Sequence, residues 1–245
     1  MSAQAPSSKK RPTGVSSETI VLSIGGSLIV PDSIDAAFIQ SLKRCLLGYT
    51  KRGVRFVVVC GGGRVARDYQ QSASRLAAVT QKDLDWIGIQ ATFLNAQLIK
   101  TVLGKKVTNP DIVTDLSEAP RFMRGRSIIV AGGWKPGCST DTDAVIAAEL
   151  LGAKKVVNLS NIDYVYTKDP NKYSDAESIK EITWKRYRAM IPKGWDAGLS
   201  SPFDPIASKL AEKGGMEVAI INGKKLAQFE HYLNNRSFRG TVIRP

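Results

Sequence analysis

Continuous apolar runs and amphipathic stretches alternate along this chain from Ile20 onward. Ile20 to Ile24, Phe56 to Cys60, Ser127 to Ala131, Val156 to Leu159 and Val218 to Ile221 are short and rich in β-branched residues, the pattern of strands covered on both faces. Between them, Ala37, Phe38, Leu42, Leu46 and Leu47 recur at helical spacing, as do Ile87, Ala91, Leu94, Leu98 and Val102. A further helix is predicted from near Asp141 to Gly152. Asp204-Pro205 opens another, with Asp as N-cap and Pro at the first helical position. A helix over Leu226 to Leu233 and a strand at Gly240 to Ile243 close the chain. The stretch from Tyr164 to Ala176 mixes aromatic residues with turn formers and predicts a hairpin or irregular excursion. Strand and helix in rotation predict an α/β fold on a mainly parallel sheet.

The first three strands share a second feature: each runs into glycine, at Gly25-Gly26-Ser27, Gly61-Gly62-Gly63 and Gly132-Gly133. One glycine after a strand is ordinarily only a turn. Three at one sheet edge form a layout for phosphate, because backbone N–H groups can approach an anion closely there and a following helix adds its positive end. The repetition suggests one site gripping two phosphorylated molecules. No G-x-x-x-x-G-K-[ST] occurs and no G-x-G-x-x-G follows the first strand, so the P-loop and Rossmann fingerprints are excluded.

Composition narrows the class. The chain has 245 residues, 43% hydrophobic and 23% charged, ordinary for a soluble globular protein. Residues 1–18, with Ser, Pro and a Lys-Lys-Arg run, are expected to form a disordered tail without the apolar core of a secretory signal. No apolar run approaches the roughly 20 residues of a membrane helix. Cys45, Cys60 and Cys138 are odd in number and lack metal-ligand spacing, which indicates neither a disulfide framework nor a metal site and points to a reducing cytoplasm. With 35 Lys and Arg against 22 Asp and Glu the net charge is +13. The basic residues fall in scattered pairs, and only Lys185-Arg186-Tyr187-Arg188 interleaves an aromatic side chain, so the charge argues for attraction of small polyanions rather than for a nucleic-acid partner.

Seven segments in order, "IGGSLIVPD" at 24–32, "VVVCGGGRVARDY" at 57–69, "DWIGIQATFLNA" at 85–96, "AGGWKPGCSTDT" at 131–142, "NIDYVYTKDP" at 161–170, "DPIASKLAEK" at 204–213 and "GTVI" at 240–243, resemble the amino-acid kinase superfamily, and within it the archaeal-type uridylate (UMP) kinases. The resemblance implies a three-layer α/β/α sandwich, usually a homohexamer, working on ATP and UMP with Mg²⁺. An acceptor-binding half, residues 19–133, and a mainly ATP-binding half, residues 134–245, would share one sheet. Gly26 and Ser27 would hold the ATP phosphates, Gly62 would face the UMP phosphate, and Gly63 and Arg67 would sit where the two phosphate chains meet. Asp85 would bind the UMP ribose. Trp134, Lys135, Pro136, Gly137, Cys138, Ser139 and Thr140 would wrap the UMP phosphate and base, with Asp141 as the organising aspartate. Ser160, Asn161, Tyr166 and Asp169 would frame adenine and its ribose. For Arg67, Asp85 and Asp141 the plain alternatives are a solvated first-turn arginine and two carboxylates that complement helix N-termini.

A phosphate acceptor needs no general base, so catalysis reduces to alignment and charge neutralisation. The lone His231 is then no obstacle. Bacterial members of the resembled family carry a lysine at the position of Ser23, and Lys135, Lys168 or Lys209 is expected to compensate. Tyr164 replaces the family's usual glycine. Carboxylate kinases, isopentenyl phosphate kinases and oxoanion or molybdate storage proteins share the resembled fold and are the alternatives; the segments around Arg67 and Asp85 favour UMP.

Overall fold

The computed structural model describes residues 18–192 and 201–245; the expected tail falls almost wholly outside them. A seven-stranded sheet runs through the molecule: β1 (Thr19–Ile24), β2 (Arg55–Cys60), β3 (Ile128–Ala131), β4 (Lys155–Ser160), β7 (Glu181–Thr183), β8 (Glu217–Asn222) and β9 (Thr241–Arg244). Their spatial order is β3-β2-β1-β4-β8-β9-β7, and only the β8–β9 contact is antiparallel. The excursion after Asn161 is the predicted hairpin, pairing β5 (Val165–Tyr166) with β6 (Ser178–Ile179). No helix among the described residues is long and apolar enough to cross a membrane.

Alternation along the strands divides the core in two. Ile20, Leu22 and Ile24 of β1 join Phe56, Val58 and Cys60 of β2 and Val157 and Leu159 of β4 on one face, packed with Phe38, Leu42 and Leu46 of α2 (Ala36–Thr50) and Ala96 and Ile99 of α4 (Gln81–Leu103). Val21, Val57, Val59, Ile129 and Val156 face the other way, against Ala144, Val145 and Ala148 of α6 (Thr140–Leu150) and Ala207 and Ala211 of α8 (Pro205–Lys213). Helices on both faces of one sheet give the expected α/β/α sandwich. Trp184 and Tyr187 of α7 (Trp184–Met190) are fully buried with Phe203. Tyr187 is therefore a core residue, which removes the one aromatic from the basic run at 185–188.

The sheet order reverses between β1 and β4. From β1 the chain steps to β2 and β3 on one side, whereas β4 and β8 lie on the other, so the loops at the carboxyl ends of β1 and β4 diverge and leave a crevice. The first two glycine turns meet at this edge. Gly25 N–H donates to Leu159 O at 2.9 Å and Gly61 N–H to Ile24 O at 2.8 Å. A β-carbon on Gly26 would lie 2.3 Å from Gly63 N, 2.4 Å from Gly61 O and 2.6 Å from the Gly62 carbonyl carbon. Gly63 also has φ +64°, in the left-handed region. Two backbones touch here with no room for a side chain.

Gly26→Ala is therefore expected to destabilise by about 1–3 kcal/mol or more, through backbone overpacking. Gly48, in the last turn of α2 with nothing within 4 Å of its would-be β-carbon, is the control. Gly48→Ala should stabilise by roughly 0.5–1 kcal/mol. Thermal melts of both variants check the pair; a Gly26→Ala protein as stable as wild type would show that the turns are not in contact.

Candidate active site

Behind the glycine contact, α4 supplies two buried polar side chains. Asn95 Nδ2 donates to Gly61 O at 2.8 Å and to Gly62 O at 3.3 Å. Thr92 Oγ1 accepts from Gly133 N–H at 2.7 Å and donates to Ile89 O at 2.6 Å. One helix thus fixes the second and third glycine turns. Arg67, in the first turns of α3 (Gly63–Leu76), reaches Ser27 Oγ at 3.4 Å across the Gly26–Gly63 contact. Its neighbour Arg64 is engaged by Asp32 and Asp68. Arg67 is exposed and forms no ion pair among the described residues.

A pocket of about 190 Å³ lies under the third turn. Gly62, Asp85, Gly133, Lys135, Cys138 and Thr140 line it, together with the α4 residues Gly88, Ile89 and Thr92. Asp85 Oδ2 accepts the Gly137 N–H at 2.9 Å, tying the loop to α4 across 52 positions of sequence, while Oδ1 accepts from Gln81. The lysine's Nζ stands 4.2 Å from the Trp134 ring centroid, a cation–π contact. Ser139 is the N-cap of α6, accepting from Thr142 N–H, so the helix begins at Thr140 and Asp141 lies inside its first turn instead of capping it. Burial, with Asp143 next in effect, raises the Cys138 pKa, keeping the thiol protonated.

Beside this pocket three carboxyls converge. Asp141 Oδ1 accepts from Ser23 Oγ at 2.7 Å and Asn158 Nδ2 at 3.1 Å; its Oδ2 accepts from Asp204 N–H at 3.4 Å. Asp204 N-caps α8 and accepts from Thr142 Oγ1 at 3.1 Å. Asp143 is fully buried, and its Oδ2 accepts the Trp134 N–H at 3.1 Å, while Oδ1 has no hydrogen-bond partner among the described residues. Desolvation pushes the Asp141 pKa up to about 6 and that of Asp143 up to about 7.

On the other side of β4 a larger cavity of about 570 Å³ is lined by Ser160, Asn161, Tyr164, Tyr166 and Asp169 among others. Tyr164 meets Tyr166 edge-on, with centroids 6.3 Å apart. Ser160 Oγ is buried without a partner among the described residues. Asp169 is exposed and accepts from Asn171 N–H in its own turn.

Of the sequence-named residues, Gly62, Asp85, Lys135, Cys138 and Thr140 line the smaller hollow and Ser160, Asn161, Tyr166 and Asp169 the larger, while Gly26, Ser27, Gly63, Arg67 and Asp141 line neither. Pro136, Trp134 and Ser139 shape the loop without lining the smaller hollow. Of the expected compensating lysines, Lys135 reaches the wall of the smaller pocket; Lys168 lines the larger cavity and is paired with Asp175, and Lys209 is exposed on α8 and lines neither hollow. Thr92, Asn95, Asp143 and Asn158 were not singled out from sequence. Their one signal is a polar residue at an apolar-face position.

Asp143 gives a test in stability. Its folded pKa stands above the unfolded value of about 3.9, so the folded state binds the extra proton and stability falls as pH rises from near 4 through 7. Asp143→Asn removes this dependence. Urea titrations at pH 5 and pH 8 should show the stability difference between variant and wild type moving toward the variant by at least about 1.4 kcal/mol, one pKa unit's worth. An unchanged difference would mean that Asp143 titrates normally.

Residues 18–222 match the model of the amino acid kinase family. The uridylate kinase of Pyrococcus abyssi is 34% identical over 227 residues, 92% of this chain and 99% of that protein. That of Methanobrevibacter smithii is 37% identical over 205 residues, 83% and 89% respectively. Among solved structures, uridylate kinase from Archaeoglobus fulgidus superposes with a TM-score of 0.77 at 27% identity, covering 91% of this chain and 99% of that one. Sequence match, sheet order and glycine turns agree: this chain belongs to the amino acid kinase family.

Proposed function

We propose that the chain is a phosphotransferase that moves the γ-phosphate of ATP to the phosphate of UMP, giving UDP for pyrimidine nucleotide synthesis. The observation that carries this reading is that the two joined glycine turns reach both hollows: Gly25 abuts Ser160 of the larger, and Gly62 lines the smaller. The smaller, against Gly62, Asp85 and Lys135, suits the acceptor. The larger, with its tyrosines, suits adenine and ribose. The relatives' shared description as uridylate kinases supports both substrates.

The chemistry asked of the chain is modest. An oxygen of the UMP phosphate attacks the γ-phosphorus, that bond forms as the bond to the β-bridging oxygen breaks, and the charge leaves on ADP. Turn amides of Gly26, Ser27, Gly62 and Gly63 hold the two phosphate chains in line. Arg67 and Lys135 offset the charge where the chains meet. Asp85, held by its contact to the acceptor loop, presents a carboxylate edge to the ribose hydroxyls. The described residues contain no grouping of three or more His, Cys, Asp or Glu that could cage a metal. Mg²⁺ carried on the nucleotide phosphates keeps several waters and takes only one or two carboxylates, and Asp141 would be the carboxylate that meets it. When bound it would supply further charge neutralisation. A homohexamer accords with the resemblance, and light scattering tests it.

An ADP-release assay with Mg-ATP across UMP, CMP, AMP, acetylglutamate and isopentenyl phosphate is expected to show UMP as the preferred acceptor; equal turnover with an acceptor lacking a nucleoside overturns the reading. Arg67→Ala should lower kcat by about 10²–10³, the effect of losing one preorganised donor. Lys135→Ala should lower it at least about tenfold, or 1.4 kcal/mol, while Lys209→Ala stays within about twofold. Cys138 lines the acceptor pocket, so its alkylation should slow when UMP is bound. Unchanged labelling at saturating UMP would place the nucleotide elsewhere.

A further inference from the structure

The central strands carry one polar pair in an otherwise apolar row. At the level of Ser23 the sheet reads Ala131, Val59, Ser23, Asn158, Ile220 from β3 to β8, every residue in direct register with its neighbour and 5% exposed or less. The row lies on the α6 face, where Val21 and Val156 one step earlier are wholly buried. Burying a hydroxyl and an amide in such a place is costly unless each has a partner. The two side chains do not bond each other. Both point to the same atom, Asp141 Oδ1.

We propose that Ser23 and Asn158 are positioning residues that fix the Asp141 carboxylate for phosphoryl transfer. This rests on the functional reading above. Asp141 lies in the first turn of a helix whose start is open to the crevice, and it is only partly buried, so nothing in α6 alone would hold its side chain toward the sheet. Three donors from three separate elements do so: the hydroxyl from β1, the amide from β4, and the Asp204 N–H at the start of α8. Two lock Oδ1. The third approaches Oδ2, which keeps lone-pair capacity beyond that one bond. Asn158 is itself steadied by a second contact, to Pro202 O at 3.4 Å. All three donors are neutral, and among the described residues the carboxylate makes no ion pair that would offset its charge. The pair also sits at the point where sheet order reverses, the one place where side chains from β1 and β4 can meet an element descending from the crevice.

A positioning role predicts a loss in kcat with little change in substrate binding, since neither side chain lines either hollow. Ser23→Ala and Asn158→Leu should each lower kcat at least about tenfold while KM for UMP and for ATP stay within about threefold. Ser23→Thr keeps the hydroxyl on a strand-compatible side chain and should recover most of the Ser23→Ala loss. In an Asp141→Asn background, Ser23→Ala should cost far less than it does alone, because its effect runs through that carboxylate. Melting curves exclude general unfolding, and if Asn158→Leu fails to fold, the Ser23 pair decides. An active wild type beside a Ser23→Ala variant within about twofold in kcat, or a Ser23→Thr variant no better than Ser23→Ala, overturns the positioning role alone. A wild type that transfers no phosphate to UMP overturns the functional reading, and this one with it.

Discussion

The backbone contact between Gly26 and the Gly61–Gly63 turn is the constraint on which the site depends. It brings the ends of β1 and β2 together so closely that a β-carbon at Gly26 would stand 2.3 Å from Gly63 N. Sterically the contact is a demand for two absent side chains, and energetically it is held by groups around it. Asn95 ties down the carbonyls of Gly61 and Gly62, and β-ladder bonds flank both turns. Gly25 and Gly61 spend their N–H groups on Leu159 O and Ile24 O, so the amides of Gly26, Ser27, Gly62 and Gly63, where the next helices begin, are the ones left for an anion. An anion site follows from backbone geometry before any cationic side chain is considered.

The same logic extends one turn further along the edge. Thr92 fixes Gly133, Asp85 holds Gly137, and Asp143 holds Trp134, so the loop after β3 is pinned at three backbone N–H groups by residues of α4 and α6. Two of these pins are carboxylates. In a chain of formal charge +13, acids concentrated behind the loop set local polarity apart from the global field. Burial raises the Asp143 pKa, lowering the cost of keeping that acid under the loop by leaving part of the population neutral.

Much of this was legible in the sequence because strands covered on both faces and helices with one apolar stripe leave strong periodic signals. The three glycine-ended strands fixed the sheet edge, and Asp204-Pro205 marked its helix through cap chemistry alone. What the pattern concealed was tertiary. β9 inserts between β8 and β7, a placement that no local preference encodes. Tyr187 looked like part of a basic surface because its neighbours in sequence are charged, yet its hydroxyl donates to Phe203 O at 3.0 Å inside the core. Asn158 interrupts a valine run and reads as a weak strand former until its register partner is known. The importance of Ser23 was visible only as a lysine's absence from the resembled pattern; its partner could not be inferred, since Asp141 lies 118 positions away.

Register is what turns these isolated polar residues into one device. Shifting β4 by a single position against β1 would move Asn158 to the opposite face of the sheet, beside Leu22 and Ile24 of β1, and leave Asp141 with two donors instead of three. The apolar alternation of both strands forbids that slip, because every valine and leucine would have to cross with it. The hydrophobic pattern that builds the sandwich thus also sets the alignment of the carboxylate. An exposed loop holding Asp141 could not do the same, since its side-chain and backbone freedom would have to be lost at each turnover. Here that order is established when the sheet folds, and the crevice presents a carboxylate already aimed.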